Sequence, residues 1–258
     1  MKALLLVASA FVLWNGVANA QTEPTFEPIL LPLALRPAHP GTGGALWVTE
    51  LTLRNDSTAR VRFEPTVCGP VECPDIRLEP GTTVLNPLTS YAAPDERTPP
   101  GRMLYLERPG ADLVSLGLVL KDLSQTSPWG TQIPVVRERE FYSTTIQLLN
   151  VPIDPLVRQT LRIYDVDAKN ATFTVRLYDL ETDAPLGEEI VRASGGYIGD
   201  VPEIPSYAQL DRLSDRFPGT HSATRVRIEI TPNEPARFWA FASVTHNVTQ
   251  HVTLVVPE

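Results

Sequence analysis

The stretch "WVTELTLRN" at residues 47–55 alternates inward and outward side chains with a period of two, and "YSTTIQLLN" at residues 142–150 repeats the pattern. Aligning Trp47 with Tyr142 sets Thr49 on Thr144, Leu51 on Ile146, Leu53 on Leu148 and Asn55 on Asn150. A helix cannot satisfy that period, because it returns a side chain to one face only every three or four residues. A strand with one buried face returns it every second residue. An aromatic, a β-branched residue and two aliphatics would point inward, and Asn would close the strand at a turn. The expectation is that the same strand opens two successive β units with separate interiors.

More of the chain repeats once an offset is allowed. "LLPLALRP" is similar to "TQIPVVRE", and "RMLYLERPGADLVSLGLVL" parallels "RVRIEITPNEPARFWAFASV", with Leu116 and Leu118 set against Trp239 and Phe241. The latter pair is expected to form β-hairpins with matching Pro-containing turns. Six to eight short strands in roughly 110 residues, with turn signals between them, predict an all-β chain of two tandem immunoglobulin-like β-sandwich domains. Their expected bounds are residues 21–130 and 131–258, with Thr131 to Val136 either closing the first or opening the second. A barrel or one larger β domain satisfies the same pattern. The second unit carries an insertion, "GDVPEIPSYAQLDRLSDRFPG", in which Tyr207, Leu210, Leu213 and Phe217 recur at helical spacing. Ser206 is placed to cap that one helix and Pro218-Gly219 to stop it.

An extended segment of the I-P-V-V kind, a Gly-rich turn and then W-x-T-x-L-x-L-x-N resembles the repeat of a group of bacterial secreted proteins built from tandem immunoglobulin-like sandwiches. The first copy reads "LPLALRPAHPGTGGALWVTELTLRN"; the second, "IPVVREREFYSTTIQLLN", lacks the Gly-rich turn. The group brings no activity with it, so the resemblance implies fold and export alone.

Export is also expected from the first twenty residues. Lys2, an apolar run from Ala3 to Val17 and then Ala18-Asn19-Ala20 form a secretory signal peptide cleaved after Ala20. No later apolar run reaches the length of a spanning helix, so a soluble secreted or periplasmic protein is expected. The net charge of −8 becomes more negative when Lys2 leaves, which argues against nucleic acid as a partner. The two cysteines, Cys68 and Cys73, bracket a Gly-Pro turn in "VCGPVECP" and are expected to form a short-range disulfide.

Several residue groups are candidates for chemistry. With Leu161, Ile163, Phe173, Val175 and Leu177 facing in, Arg162, Tyr164, Thr174, Arg176 and Tyr178 face out. Tyr and Arg side by side on a sheet suit a sugar or a partner protein, though cross-strand pairing explains them equally. His246 and His251 flank a four-residue turn and would face each other across a hairpin. Zinc would need a third protein ligand, and none is near in sequence. Asp165, Asp167 and Asn170 are spaced like a calcium loop but lack its Gly and closing Glu, while Asp154, Glu181 and Asp183 would share one end of the second unit. Ordinary turn chemistry is the alternative in each case.

No nucleophile elbow, metalloprotease helix, Walker loop or dinucleotide fingerprint occurs, and no cofactor is indicated. The expected function is therefore a non-enzymatic secreted or periplasmic protein that binds a glycan or an envelope protein. A secreted hydrolase, or its carbohydrate-binding module, would instead show carboxylates gathered in one cleft. A two-domain chaperone-like assembly factor would need an exposed edge strand, for which Leu116, Leu118 and Leu120 are the candidates.

Overall fold

The computed structural model describes residues 26–65, 76–87, 101–126, 130–195, 197–198, 201–202 and 205–258. The expected signal peptide and the Cys68–Cys73 pair lie outside them. The chain is mostly β. Its strands are β1 (Phe26–Leu31), β2 (His39–Pro40), β3 (Leu46–Asn55), β4 (Val61–Pro65), β5 (Ile76–Leu78), β6 (Thr83–Leu85), β7 (Arg102–Glu107), β8 (Val114–Asp122), β9 (Thr131–Ile133) and β10 (Val136–Arg137). They continue as β11 (Ile146–Pro152), β12 (Val157–Asp165), β13 (Thr172–Asp179), β14 (Pro185–Arg192), β15 (Tyr197–Ile198), β16 (Val201–Pro202), β17 (Ser206–Asp211), β18 (Arg225–Pro232), β19 (Phe238–His246) and β20 (Val252–Val255).

Four antiparallel sheets and the β15–β16 ribbon result. Sheet I runs β10-β1-β7-β4-β5 and sheet II runs β2-β3-β8-β9, with β6 also on β3. Sheet III runs β11-β18-β13-β14 and sheet IV runs β17-β12-β19-β20. Placed side by side, β1-β7-β4-β5 corresponds strand for strand to sheet III, and β6-β3-β8-β9 to sheet IV, in the same chain order. The repetition is therefore present in the topology.

Its register differs from the expectation. The counterpart of β3 is β12, and "YSTTIQLLN" leads into β11, the counterpart of β1. Trp47 thus answers to Val157, while Tyr142 lies outside the strands and makes a single bridge to Phe238. Alternation marks any half-buried strand and carries no information about which strand it is. Nor do the two aromatics enter separate interiors, since both pack against the first hydrophobic cluster and Tyr142 touches the second as well.

The correct pairing is visible in the strand ends. Asn55 closes β3 and Asp165 closes β12, both fully buried, and each accepts a bond from the backbone N–H two residues on, Ser57 and Asp167. The surroundings select amide or acid. Asn55 Nδ2 donates to the carbonyls of Ala59 and Leu78 at 2.8 Å, whereas Asp165 Oδ2 accepts from Ala171 N–H at 3.1 Å and the Ser206 hydroxyl at 3.0 Å.

Three further expectations are corrected. The β7–β8 and β18–β19 segments are not hairpins: β7 and β18 belong to sheets I and III, β8 and β19 to sheets II and IV, so each turn crosses between layers. The one short helix of the second unit is present but shorter than Tyr207 to Phe217: α1 spans Leu213–Arg216, while Ser206–Asp211 forms the strand β17, which pairs with β12, and Ser206 caps nothing. Tyr207 and Leu210 are instead on opposite faces of a strand, and the sheet position beside β12 overrides a four-residue spacing. Finally, β9 and β10 pair with β8 and β1, so residues 131–137 complete the first unit and the passage to the second begins after Arg137.

Sheets I and II share one hydrophobic cluster, with Leu30, Leu53, Phe63, Leu104 and Leu106 fully buried, and sheets III and IV share another, with Leu148, Leu161, Phe173, Leu177 and Ile228. The first cluster also takes in Tyr164, Trp239, Phe241 and Val252, which belong to sheet IV. The two units are thus packed together by apolar side chains.

Candidate functional site

The outward face of sheet IV changes character along its strands. At one end Tyr164 pairs in register with Tyr207 and Trp239, and Phe241 stacks beside Tyr164 with ring centroids 6.4 Å apart. This end is covered by the first unit. Tyr164 is fully buried, its hydroxyl donates to the carbonyl of Pro32 at 2.5 Å, and burial pushes its phenol far above the ordinary range. Gly101 of the first unit lies flat against the Tyr164 ring; a Cβ there would sit 3.0 Å from Cδ1. Thr131 donates to the carbonyl of Val252 at 3.0 Å. A chain of charges closes the same junction, from Arg108 to Glu138 at 2.5 Å, Glu138 to Arg237 at 3.0 Å and Arg237 to Asp167 at 2.6 Å.

At the other end of that face the side chains are polar, and the units part to leave a cleft of about 910 Å³. Its floor is Arg158, Thr160 and Arg162 of β12 with Ser243 and Thr245 of β19. The facing wall comes from the first unit, with Leu33, Leu35, Thr42 and Trp47. The Gly-rich turn holds this wall. Gly41 lies against the indole, where a Cβ would fall 2.6 Å from Cδ1, and Gly43, at a φ of 69°, approaches Gln250 across the cleft.

The guanidinium groups of the floor are held without a carboxylate, as is that of Arg36, which donates to the carbonyl of Thr49. Arg137, Arg176, Arg227 and Arg237 all sit on carboxylates. Arg158 instead donates to the side-chain oxygens of Gln250 at 2.7 Å and Asn247 at 3.3 Å, and burial lowers its pKa from the ordinary arginine value. Arg162 donates to Gln209 Oε1 at 3.0 Å and Ser243 Oγ at 3.2 Å, and lies 5.7 Å from the Phe241 ring centre. Neither forms an ion pair with a described residue. Three exposed carboxylates reach the same cleft, Asp154, Asp211 and Asp215; Asp211 accepts from Thr160 at 2.9 Å. Gln159 also lines it, buried, with Nε2 on the carbonyl of Pro152 and Oε1 without a partner.

The five residues expected to share a binding face are divided. Arg162 and Tyr164 are on sheet IV, one in the cleft and one sealed under the first unit. Thr174, Arg176 and Tyr178 are on the outside of sheet III, bonded to Asn233, paired with Glu188 and Glu229, and covered by the Arg227 guanidinium at 4.1 Å. That second group is a cross-strand network and stays apart from the cleft.

His246 and His251 do meet at the hairpin base, His246 N–H donating to the carbonyl of His251, but the His246 ring is used locally. Its Nδ1 accepts the backbone N–H groups of Val248 and Thr249. Asp165 and Asp167 are held by the turn and by Arg237 and Lys169, and Asp183 by Arg227. Among the described residues no three His, Cys, Asp or Glu side chains are grouped to hold a metal ion. The strand bearing Leu116, Leu118 and Leu120 lies between β3 and β9, so it is no edge. Sequence reasoning missed Trp47, Arg158 and the Asp154, Asp211 and Asp215 group as one site, because they converge from strands far apart in the chain. No known protein family, curated protein or solved structure matches the chain.

Proposed function

We propose that the chain is an exported, non-enzymatic binding protein made of two tandem immunoglobulin-like β-sandwiches, with its ligand site in the cleft between them. The observation that carries this is the cleft itself, in which Trp47 of one unit faces Arg158 and Arg162 of the other. Its volume lies in the range of small-ligand sites, and an aromatic wall over polar side chains suits a glycan or an exposed segment of an envelope protein. Two pairings in each unit, β3 with β6 and β4 with β7 in the first, β12 with β17 and β13 with β18 in the second, are those of an immunoglobulin order; the β1–β7, β3–β8, β11–β18 and β12–β19 pairings depart from it. Export rests on the leader sequence. The described residues contain no helix long and apolar enough to cross a membrane.

A panel of glycans and envelope proteins tests the proposal. Binding is expected that Trp47→Ala abolishes while the melting curve stays cooperative; absence of any binding would remove the proposal. A hydrolase is the second reading, favoured by the three carboxylates at the cleft. All three are exposed, whereas a general acid working near neutral pH is held protonated by burial. Slow release of reducing ends from a bound oligosaccharide would favour it.

A further inference from the structure

We propose that the cleft takes an acidic saccharide, with sugar carboxylates on Arg158 and Arg162 and sugar rings along Trp47; this rests on the cleft being the binding site. The two arginines leave one strand face four residues apart, so their Cα atoms stand roughly 13 Å apart. That is a few sugar rings, and two carboxylates of one chain reach both. Each guanidinium is oriented by neutral oxygens and contacts no carboxylate of the described residues. A cation kept unpaired in a partly buried position is favourable to an incoming anion, because the protein has already borne the desolvation.

The rest of the lining selects the other half of the ligand. Asp211 and Asp154 are exposed acceptors on the same lining, which suits hydroxyl groups of the ligand. Trp47 offers an apolar plane for the C–H face of a ring. Anion acceptors, hydroxyl acceptors and an aromatic plane in one cleft describe a uronic-acid oligomer better than a neutral sugar or a nucleotide.

Isothermal titration of the full chain with tetragalacturonate, an alginate tetramer and the carboxyl-reduced tetragalacturonate separates the cases. Binding of an acidic oligomer is expected, at least about tenfold tighter than its reduced counterpart and weakened by added salt. Arg158→Gln and Arg162→Gln should each lose about tenfold for the acidic oligomer, a larger loss than for the reduced one. Equal affinity for acidic and reduced oligomers overturns the inference and leaves the cleft as a glycan site. No binding of any of the three overturns the inference, and if the wider panel is also silent the binding function falls with it. Since the wild-type comparison needs no variant, misfolding of either substitution does not blur the outcome.

Discussion

Gly101→Ala is a small change with a large expected effect. Gly101 is buried and outside the left-handed region, so an L side chain costs nothing in backbone terms. The cost is contact: the new Cβ would touch Cε1 of Tyr164 and stand 3.0 Å from Cδ1 and 3.2 Å from Cζ. The ring cannot step aside, because Tyr207 and Phe241 stack beside it at 6.4 Å and its hydroxyl is tied to Pro32. Overpacking of that kind costs about 1–3 kcal/mol, and here the upper half applies. Tyr164→Ala alone should cost about 3–5 kcal/mol through the cavity it leaves. In the double variant the added methyl enters that cavity, so the combined loss should fall short of the sum by about 2 kcal/mol. Urea unfolding of the four proteins, followed by tryptophan fluorescence and circular dichroism, measures the coupling. Additive losses would show that Gly101 does not seat Tyr164, and the fixed junction behind the cleft would have to be abandoned.

Asp165→Ala strands three donors in a fully buried turn and should cost about 3 kcal/mol or more, while Asp165→Asn keeps one acceptor and costs less; denaturant midpoints compare them. Burial alone would raise the Asp167 carboxyl, but Arg237 and Lys169 hold it below the ordinary aspartate value. Its contribution to stability is therefore complete above the unfolded pKa of about 4 and is lost as pH falls through the lower folded value. Arg237→Gln should cost about 1 kcal/mol at neutral pH, since the pair is partly exposed, and should flatten the decline of melting temperature below about pH 4. Exposed Leu85→Ser should change stability by no more than about 0.5 kcal/mol, against about 2–5 for buried Leu53→Ala, as the same unfolding curves will show.

Strand alternation made the class of structure legible, because Leu51, Leu53, Leu161 and Ile163 can be inward only in a strand. The same alternation misled on register. Asn55 and Asn150 look alike as letters, yet the physical partner of Asn55 is Asp165, a different residue doing the same work at a turn. The β17 segment read as helix since Tyr207, Leu210, Leu213 and Phe217 are spaced for one; the vacant place beside β12 decided otherwise. Tyr164 was read as outward-facing, which is right for its own sheet, but the first unit covers that face. The cleft could not be read at all, because its two walls are separated by more than a hundred residues and meet only once both units have folded.

The crossing of most connections between layers, though not of β4–β5, β8–β9, β13–β14 or β19–β20, which stay within one sheet, has a consequence for how the molecule comes into being. On each side of β1 the neighbours are β7 and β10, so a nascent chain cannot close that sheet until Arg137 has emerged from the ribosome. Early fragments hold few pairings between adjacent strands, and long-range closure is slow. Such a polypeptide completes its layers later than one whose strands pair only with their neighbours in sequence.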